Sequence, residues 1–188
     1  MNWRPHPAIA LLSIAFVAAP VLDTLADPVV QPAQGTLQAA FTPWDDVETI
    51  LSDVINGARR QVLVQAYLLT SKKIASTLVA AHRRGVEVLI LLDAAQLRRS
   101  TSQVVPKLAA AGIPIWLETK YQNAHNKIIV IDADTAHPAV VTGSFNFTWT
   151  AQHRNAENIL VVRDNPNLAS QYALNWERHK RDAVPYEK

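Results

Sequence analysis

Residues 61–93 read QVLVQAYLLTSKKIASTLVAAHRRGVEVLILLD. The run 61–69 is apolar and β-rich, 72–84 reads as a helix, and 86–92 is a continuous apolar run that stops at Asp93. A strand, a helix and a second strand in that order imply parallel strands joined by a right-handed crossover, with helices covering both faces of a sheet. Working outward, Val47, Ile50, Leu51, Val54, Ile55 and Ala58 recur at helical spacing behind Thr42-Pro43, which predicts an amphipathic helix over 44–59. Downstream, a helix near 102–111 stops at Gly112 and a short strand follows at 113–117. Strands are expected again at 127–131, 140–142 and 158–162, then a helix over about 166–180. No repeat is visible at a period of 20 to 50 residues. With 188 residues, 49% of them hydrophobic, the chain can bury the core of one α/β domain.

The two ends of the expected domain differ in character. Arg4, an apolar run from Ala8 to Leu22 and the closing Thr24-Leu25-Ala26 form the pattern of a secretory signal, so residues 1–26 are expected to be removed on export, with the periplasm as destination. An uncleaved N-terminal anchor is the alternative, with a mitochondrial targeting segment in third place. Residues 27–40, rich in Pro, Gln and Ala, read as a flexible lead-in, and 41–188 as a single domain. The absence of cysteine excludes a disulfide scaffold, a thiolate metal site and a cysteine nucleophile. The net charge of +2 names no partner, but its distribution is uneven: residues 59–127 hold eleven Lys/Arg against three acids.

The residues that carry chemistry lie in the second half. His125-Asn126-Lys127-Ile128-Ile129-Val130-Ile131-Asp132 is H-x-K-x4-D running into an apolar strand. Residues i and i+2 of a strand share a face, so His125 and Lys127 project together. A neutral imidazole can attack phosphorus, and a fixed ammonium beside it can hold the negative charge of a phosphodiester transition state. Gly143-Ser144-Phe145-Asn146 follows the next strand: the glycine permits an unusual turn, and the Ser144 hydroxyl and Asn146 amide can hydrogen-bond phosphate oxygens without adding charge. Asn155-Ala156-Glu157-Asn158 opens another strand, where the Glu157 carboxylate could fix a histidine tautomer. No His and acidic set has metal-ligand spacing, so neither a metal nor another cofactor is expected.

Taken in order, these three elements resemble the signature of the phospholipase D superfamily. The likeness extends to Phe41-Thr42-Pro43, Ala66-Tyr67, Thr70-Ser71-Lys72 and Arg84-Gly85-Val86, and is strongest toward the small, secreted, single-motif endonucleases of that superfamily. The resemblance implies an α/β sandwich, a mixed sheet flanked by helices on both faces, and a metal-independent phosphodiesterase working through a phosphohistidine. It implies His125 as nucleophile, or as general acid when supplied by a second motif. It further implies Lys127, Ser144 and Asn146 around the phosphate, Glu157 orienting histidine, and Asp132 supporting local structure. The sequence departs from the family in one place: ten residues, 133–142, separate Asp132 from Gly143 where about six are usual. Extra length at a hairpin tip, with both strand registers kept, is the expected accommodation.

The expected substrate is DNA, and in second place RNA, cut with little sequence preference, because Lys and Arg contacts to phosphates give affinity without reading bases. The alternative is a phospholipid or cardiolipin-type hydrolase using the same histidine chemistry. A catalytically silent nucleic-acid-binding module is least favoured, since binding alone needs no nucleophile. Because the chain holds one H-x-K-x4-D and the reaction needs two histidines, a twofold homodimer is expected. His153 would be the first candidate for an acid within the chain, and Trp149, three residues beyond Asn146, is a candidate base-stacking aromatic.

Overall fold

The computed structural model describes residues 30–187. Its framework is one eight-stranded mixed sheet in the order β1-β7-β6-β5-β2-β3-β4-β8. The strands are β1 (Thr36–Thr42), β2 (Gln61–Ala66), β3 (Glu87–Asp93), β4 (Ile115–Glu118), β5 (Lys127–Ile131), β6 (Ala139–Gly143), β7 (Glu157–Arg163) and β8 (Val184–Pro185). Strands β2, β3 and β4 pair in parallel, and every other pairing is antiparallel. The expected crossover is α2 (Lys72–Arg83) between β2 and β3. Its N-terminus is capped by Ser71, whose hydroxyl accepts the Ile74 N–H at 3.2 Å.

The alternation of apolar side chains along the strands builds a core on each face. On one, Val62, Val64, Ile90, Leu92, Ile129 and Val141 pack with Leu51 and Ile55 of α1 (Val47–Asn56), Ile74 and Leu78 of α2, and Leu108 of α4 (Val104–Ala110). On the other, Leu63, Leu91, Ile128, Val130 and Val140 pack beneath α6 (Pro166–Arg181). Trp176 anchors that helix: it is 1% exposed, and its indole N–H donates to the Val64 carbonyl at 2.9 Å.

The differences from the sequence reading have local causes. Residues 36–40, placed within a flexible lead-in, form most of β1, an edge strand that pairs with β7 from Thr36↔Arg163 to Thr42↔Glu157. Backbone pairing holds it, and with Leu37 and Phe41 exposed it shows no apolar alternation to read. The first helix starts at Val47 instead of 44, because Asp46 caps it by accepting the Thr49 N–H. Strand β2 ends at Ala66, where the chain turns away and the Leu69↔Phe147 bridge begins. One short helix, α3 (Ala94–Arg99), was not anticipated; it is capped by Asp93 through the Gln96 N–H. A further short helix, α5 (Trp149–His153), lies between β6 and β7.

The long β5–β6 connection joins two strands in unbroken antiparallel register, Ile129↔Val141, Val130↔Val140 and Ile131↔Ala139, and residues 132–138 form its tip. Beyond it Gly143 has φ +154°, and a Cβ there would lie 2.3 Å from the Asn158 carbonyl oxygen. Glycine is therefore required for β6 to approach β7 at this point.

Candidate active site

The sheet topology brings one end of each central strand to a common edge. Ala66 at the end of β2 pairs with Lys127 at the start of β5, and Gly143 at the end of β6 lies opposite Ile159, two residues inside β7. His125 is exposed two residues before β5, while Lys127 is 6% exposed. They share a platform: the Tyr67 ring lies 4.4 Å from the imidazole centroid, and the Lys127 ammonium is 4.8 Å from the Tyr67 ring centroid. Lys127 Nζ also donates to the His125 carbonyl at 2.7 Å, tying the cation to the backbone that carries the histidine. Tyr67 is itself held by the Gln96 amide, which donates to its hydroxyl at 2.6 Å. The sequence reading quoted Tyr67 without a role; its place directly after a strand that ends beside the motif is the signal for one.

Burial pushes the Lys127 ammonium below the ordinary lysine range, and the negative charge of Glu157 pulls in the opposite direction. Glu157 thus acts electrically on the lysine. Its Oε1 accepts from Asn155 Nδ2 at 2.8 Å and its backbone N–H donates to Thr42 Oγ1 at 3.1 Å. Among the described residues no hydrogen bond joins Glu157 to His125, so the expected orientation of the imidazole by this carboxylate is not made within one chain.

Ser144 Oγ accepts from the Asn158 N–H and Nδ2 at 3.1 and 3.3 Å, which leaves its own proton to donate outward. The segment after it returns to the exit of β2, where the Phe147 N–H donates to the Leu68 carbonyl and the Thr70 and Ser71 N–H groups donate to the Phe147 carbonyl. That pairing places Asn146 beside the Tyr67–Leu68 backbone. Asn146 Oδ1 is buried without a hydrogen-bond partner, a costly condition that substrate or a partner donor would relieve. Trp44, just before α1, and Trp149, at the start of α5, are 83% and 55% exposed. The His153 ring is 4.7 Å from Trp149, and the Arg154 guanidinium lies 5.6 Å from the same indole.

Asp132 does different work. It is 5% exposed at φ +49°, and its two oxygens accept the backbone N–H groups of Arg59, Arg60 and Gln61, each at 2.8 Å. It ties the end of β5 to the start of β2, at the strand ends away from His125. Asp132→Ala would leave three donors unpaired, and a loss of about 3 kcal/mol is expected, lowering Tm by roughly 10 °C. Turnover measured well below Tm should fall less than about tenfold, since no reacting atom is touched. Of the other histidines, His179 faces buried Glu118 at 2.5 Å and His137 faces Asp164 at 3.0 Å. Among the described residues no group of three or more His, Asp or Glu could hold a metal ion.

An exposed imidazole and a buried ammonium thus share one aromatic ring where β2 ends and β5 begins. The family described as cardiolipin synthase, PLD-like domain, matches residues 51–180. A phospholipase D of Rickettsia bellii is 36% identical over 152 residues, covering 81% of this chain and 73% of the relative. A mitochondrial cardiolipin hydrolase of Xenopus laevis is 28% identical over 171 residues, 89% of this chain and 76% of that one. The crystal structure of the phospholipase D family member Nuc from Salmonella typhimurium superposes with a TM-score of 0.73 at 29% identity, over 81% of this chain and 99% of Nuc. The chain belongs to the phospholipase D superfamily. It is a phosphodiesterase with the α/β fold of Nuc.

Proposed function

We propose that this phosphodiesterase is a metal-independent endonuclease of low sequence preference, cutting DNA and, in second place, RNA through a phosphohistidine. The observation that carries the reading is the His125–Tyr67–Lys127 arrangement, a reachable nucleophile with a desolvated cation fixed beside it. A free ring nitrogen of His125 attacks phosphorus. As the P–N bond forms, the P–O bond to the leaving sugar breaks, and that oxygen takes a proton from a second imidazolium. Water then attacks phosphorus, gives its proton to the second histidine, now neutral, and breaks the P–N bond. Lys127, Ser144 and Asn146 hold the charge on the non-bridging oxygens. Within one chain the His153 ring packs at a tilt against Trp149. Because the sequence holds one H-x-K-x4-D, a twofold dimer placing two His125 rings on one phosphate is the assembly we propose.

Nucleic acid is favoured over lipid by the cation excess of residues 59–127 and by the exposed indoles of Trp44 and Trp149, which suit unpaired bases. The names of the relatives favour phospholipid as the second reading. Export is proposed from the 1–26 segment, which lies outside the described residues; among those described, no helix is long and apolar enough to cross a membrane.

The test is a parallel assay of the purified protein on plasmid DNA and on cardiolipin-containing vesicles, both with EDTA. Nicking of DNA that survives the chelator and weakens steeply with salt is the expected result. Loss of all activity on chelation, restored by a divalent cation, would overturn the mechanism. Lipid hydrolysis with no cut DNA would overturn the substrate.

A further inference from the structure

Asn126, between the histidine and the lysine, faces the other way. His125 and Lys127 both meet Tyr67, whereas Asn126 and Ile128 line a cleft of about 340 Å³ on the opposite face of the sheet. The far wall is α6, through Gln171, Tyr172 and Asn175, and Thr142 of β6 closes the end nearest Gly143. The volume lies in the range of ordinary small-ligand sites, roughly 300–1,000 Å³. No charged side chain lines it, whereas Lys72, Arg83 and Lys107 line the groove between α2 and α4. Among the described residues none of its side-chain amides or hydroxyls takes part in a hydrogen bond, although Asn126, Thr142, Tyr172 and Asn175 are all partly buried. Three carboxamides, a threonine hydroxyl, a phenol ring and an isoleucine side chain thus surround a space with unused donors and acceptors.

A phosphate would find no cation there, and an acyl chain would strand the amides. A flat neutral ring edged with N–H and C=O groups satisfies both requirements, because Asn and Gln amides can match base edges while an aromatic side chain supplies a stacking face. Resting on the nuclease reading, we propose that this cleft is a nucleobase subsite. A nucleotide next to the scissile phosphate folds over the sheet edge at Asn126 and seats its base between β5 and α6. The phosphate stays on the His125 face, so one backbone step from His125 to Asn126 separates the reacting group from the base that positions it.

The experiment uses a dithymidine dinucleotide, which has one phosphodiester, its two singly abasic forms and its doubly abasic form. Wild-type protein should cleave the intact dinucleotide about tenfold faster, in kcat/KM, than the doubly abasic diester, with the difference arising from the base on one side only. Gln171→Ala/Asn175→Ala should remove most of that preference while still cleaving the doubly abasic diester, which reports a folded site. Gln171→Ala alone, at an exposed position, should lose about threefold of it and keeps the test open if Asn175 cannot be replaced. A double variant that keeps the full preference for intact dinucleotide would overturn the subsite, as would a wild type that cleaves all four diesters equally. A wild type that cleaves none of them but hydrolyses cardiolipin would overturn the nuclease reading, and the subsite with it.

Discussion

Replacing His125 with Ala is expected to lower turnover by at least about 10⁴-fold while leaving Tm within about 2 °C of wild type. The two halves of that expectation come from separate features of the site. The imidazole is exposed and its one ring contact is with Tyr67, so its removal opens no core cavity and orphans no buried group. Chemically, no neighbouring group offers an equivalent: Lys127 is committed to the His125 carbonyl and the Tyr67 ring, and the Ser144 hydroxyl has no base beside it among the described residues. Activity within about tenfold of wild type would remove His125 as the nucleophile.

The same variant reports on the proposed dimer. If one His125 attacks and its copy in the other protomer protonates the leaving oxygen, a mixed dimer is inactive. Under random exchange with a ninefold excess of His125→Ala chains, wild-type chains should retain about a tenth of the activity they show alone. Retention of full activity after exchange has been verified would place the acid within one chain, and His153→Ala would then be the decisive variant.

What could be read before the structure followed from how strongly each segment declares itself locally. The 61–93 unit is legible because its two apolar runs and the helical stretch between them point to the same elements, and the sheet assembles them as expected. The edge strand β1 is not legible, because its stability comes from backbone pairing to β7, 115 or more residues away in sequence. At the site, the motif supplied His125, Lys127, Ser144 and Asn146, but residue types alone cannot report depth. That Lys127 is buried and His125 exposed follows from the pairing of β5 with β2, which sinks the strand and leaves the residue two positions before it outside. Tyr67 and Thr42 lie in stretches that carry the resemblance, but their roles were not legible for a related reason: both leave the ends of other strands and meet the motif only when the sheet forms.

The placement of Glu157 changes what its removal should do. A lysine held below its ordinary value of about 10.4 loses its charge at a lower pH, so the alkaline limb of kcat should fall below that value. Because Glu157 pulls the Lys127 pKa back up, Glu157→Gln should move that limb to still lower pH. Had the carboxylate served only to fix a histidine tautomer, Glu157→Gln would lower kcat across the profile and leave the alkaline limb in place. Lys127→Arg should keep its charge throughout the range and abolish the limb at reduced rate. Lys127→Met should cost about 10³-fold in turnover, the loss expected when the fixed charge nearest the transition state disappears. Stability should run the other way. With the folded pKa depressed, the unfolded chain holds this proton more tightly, so folding carries the penalty of a buried ammonium below the folded pKa and sheds it as pH rises through the two values. Lys127→Met removes the penalty at every pH, and its Tm at pH 7 should equal or exceed that of wild type. A variant that is inactive and no less stable would show a cation kept in a buried position for its chemistry. A Tm several degrees lower would instead make Lys127 a structural residue and leave Arg154, beside Trp149, as the next cation to test.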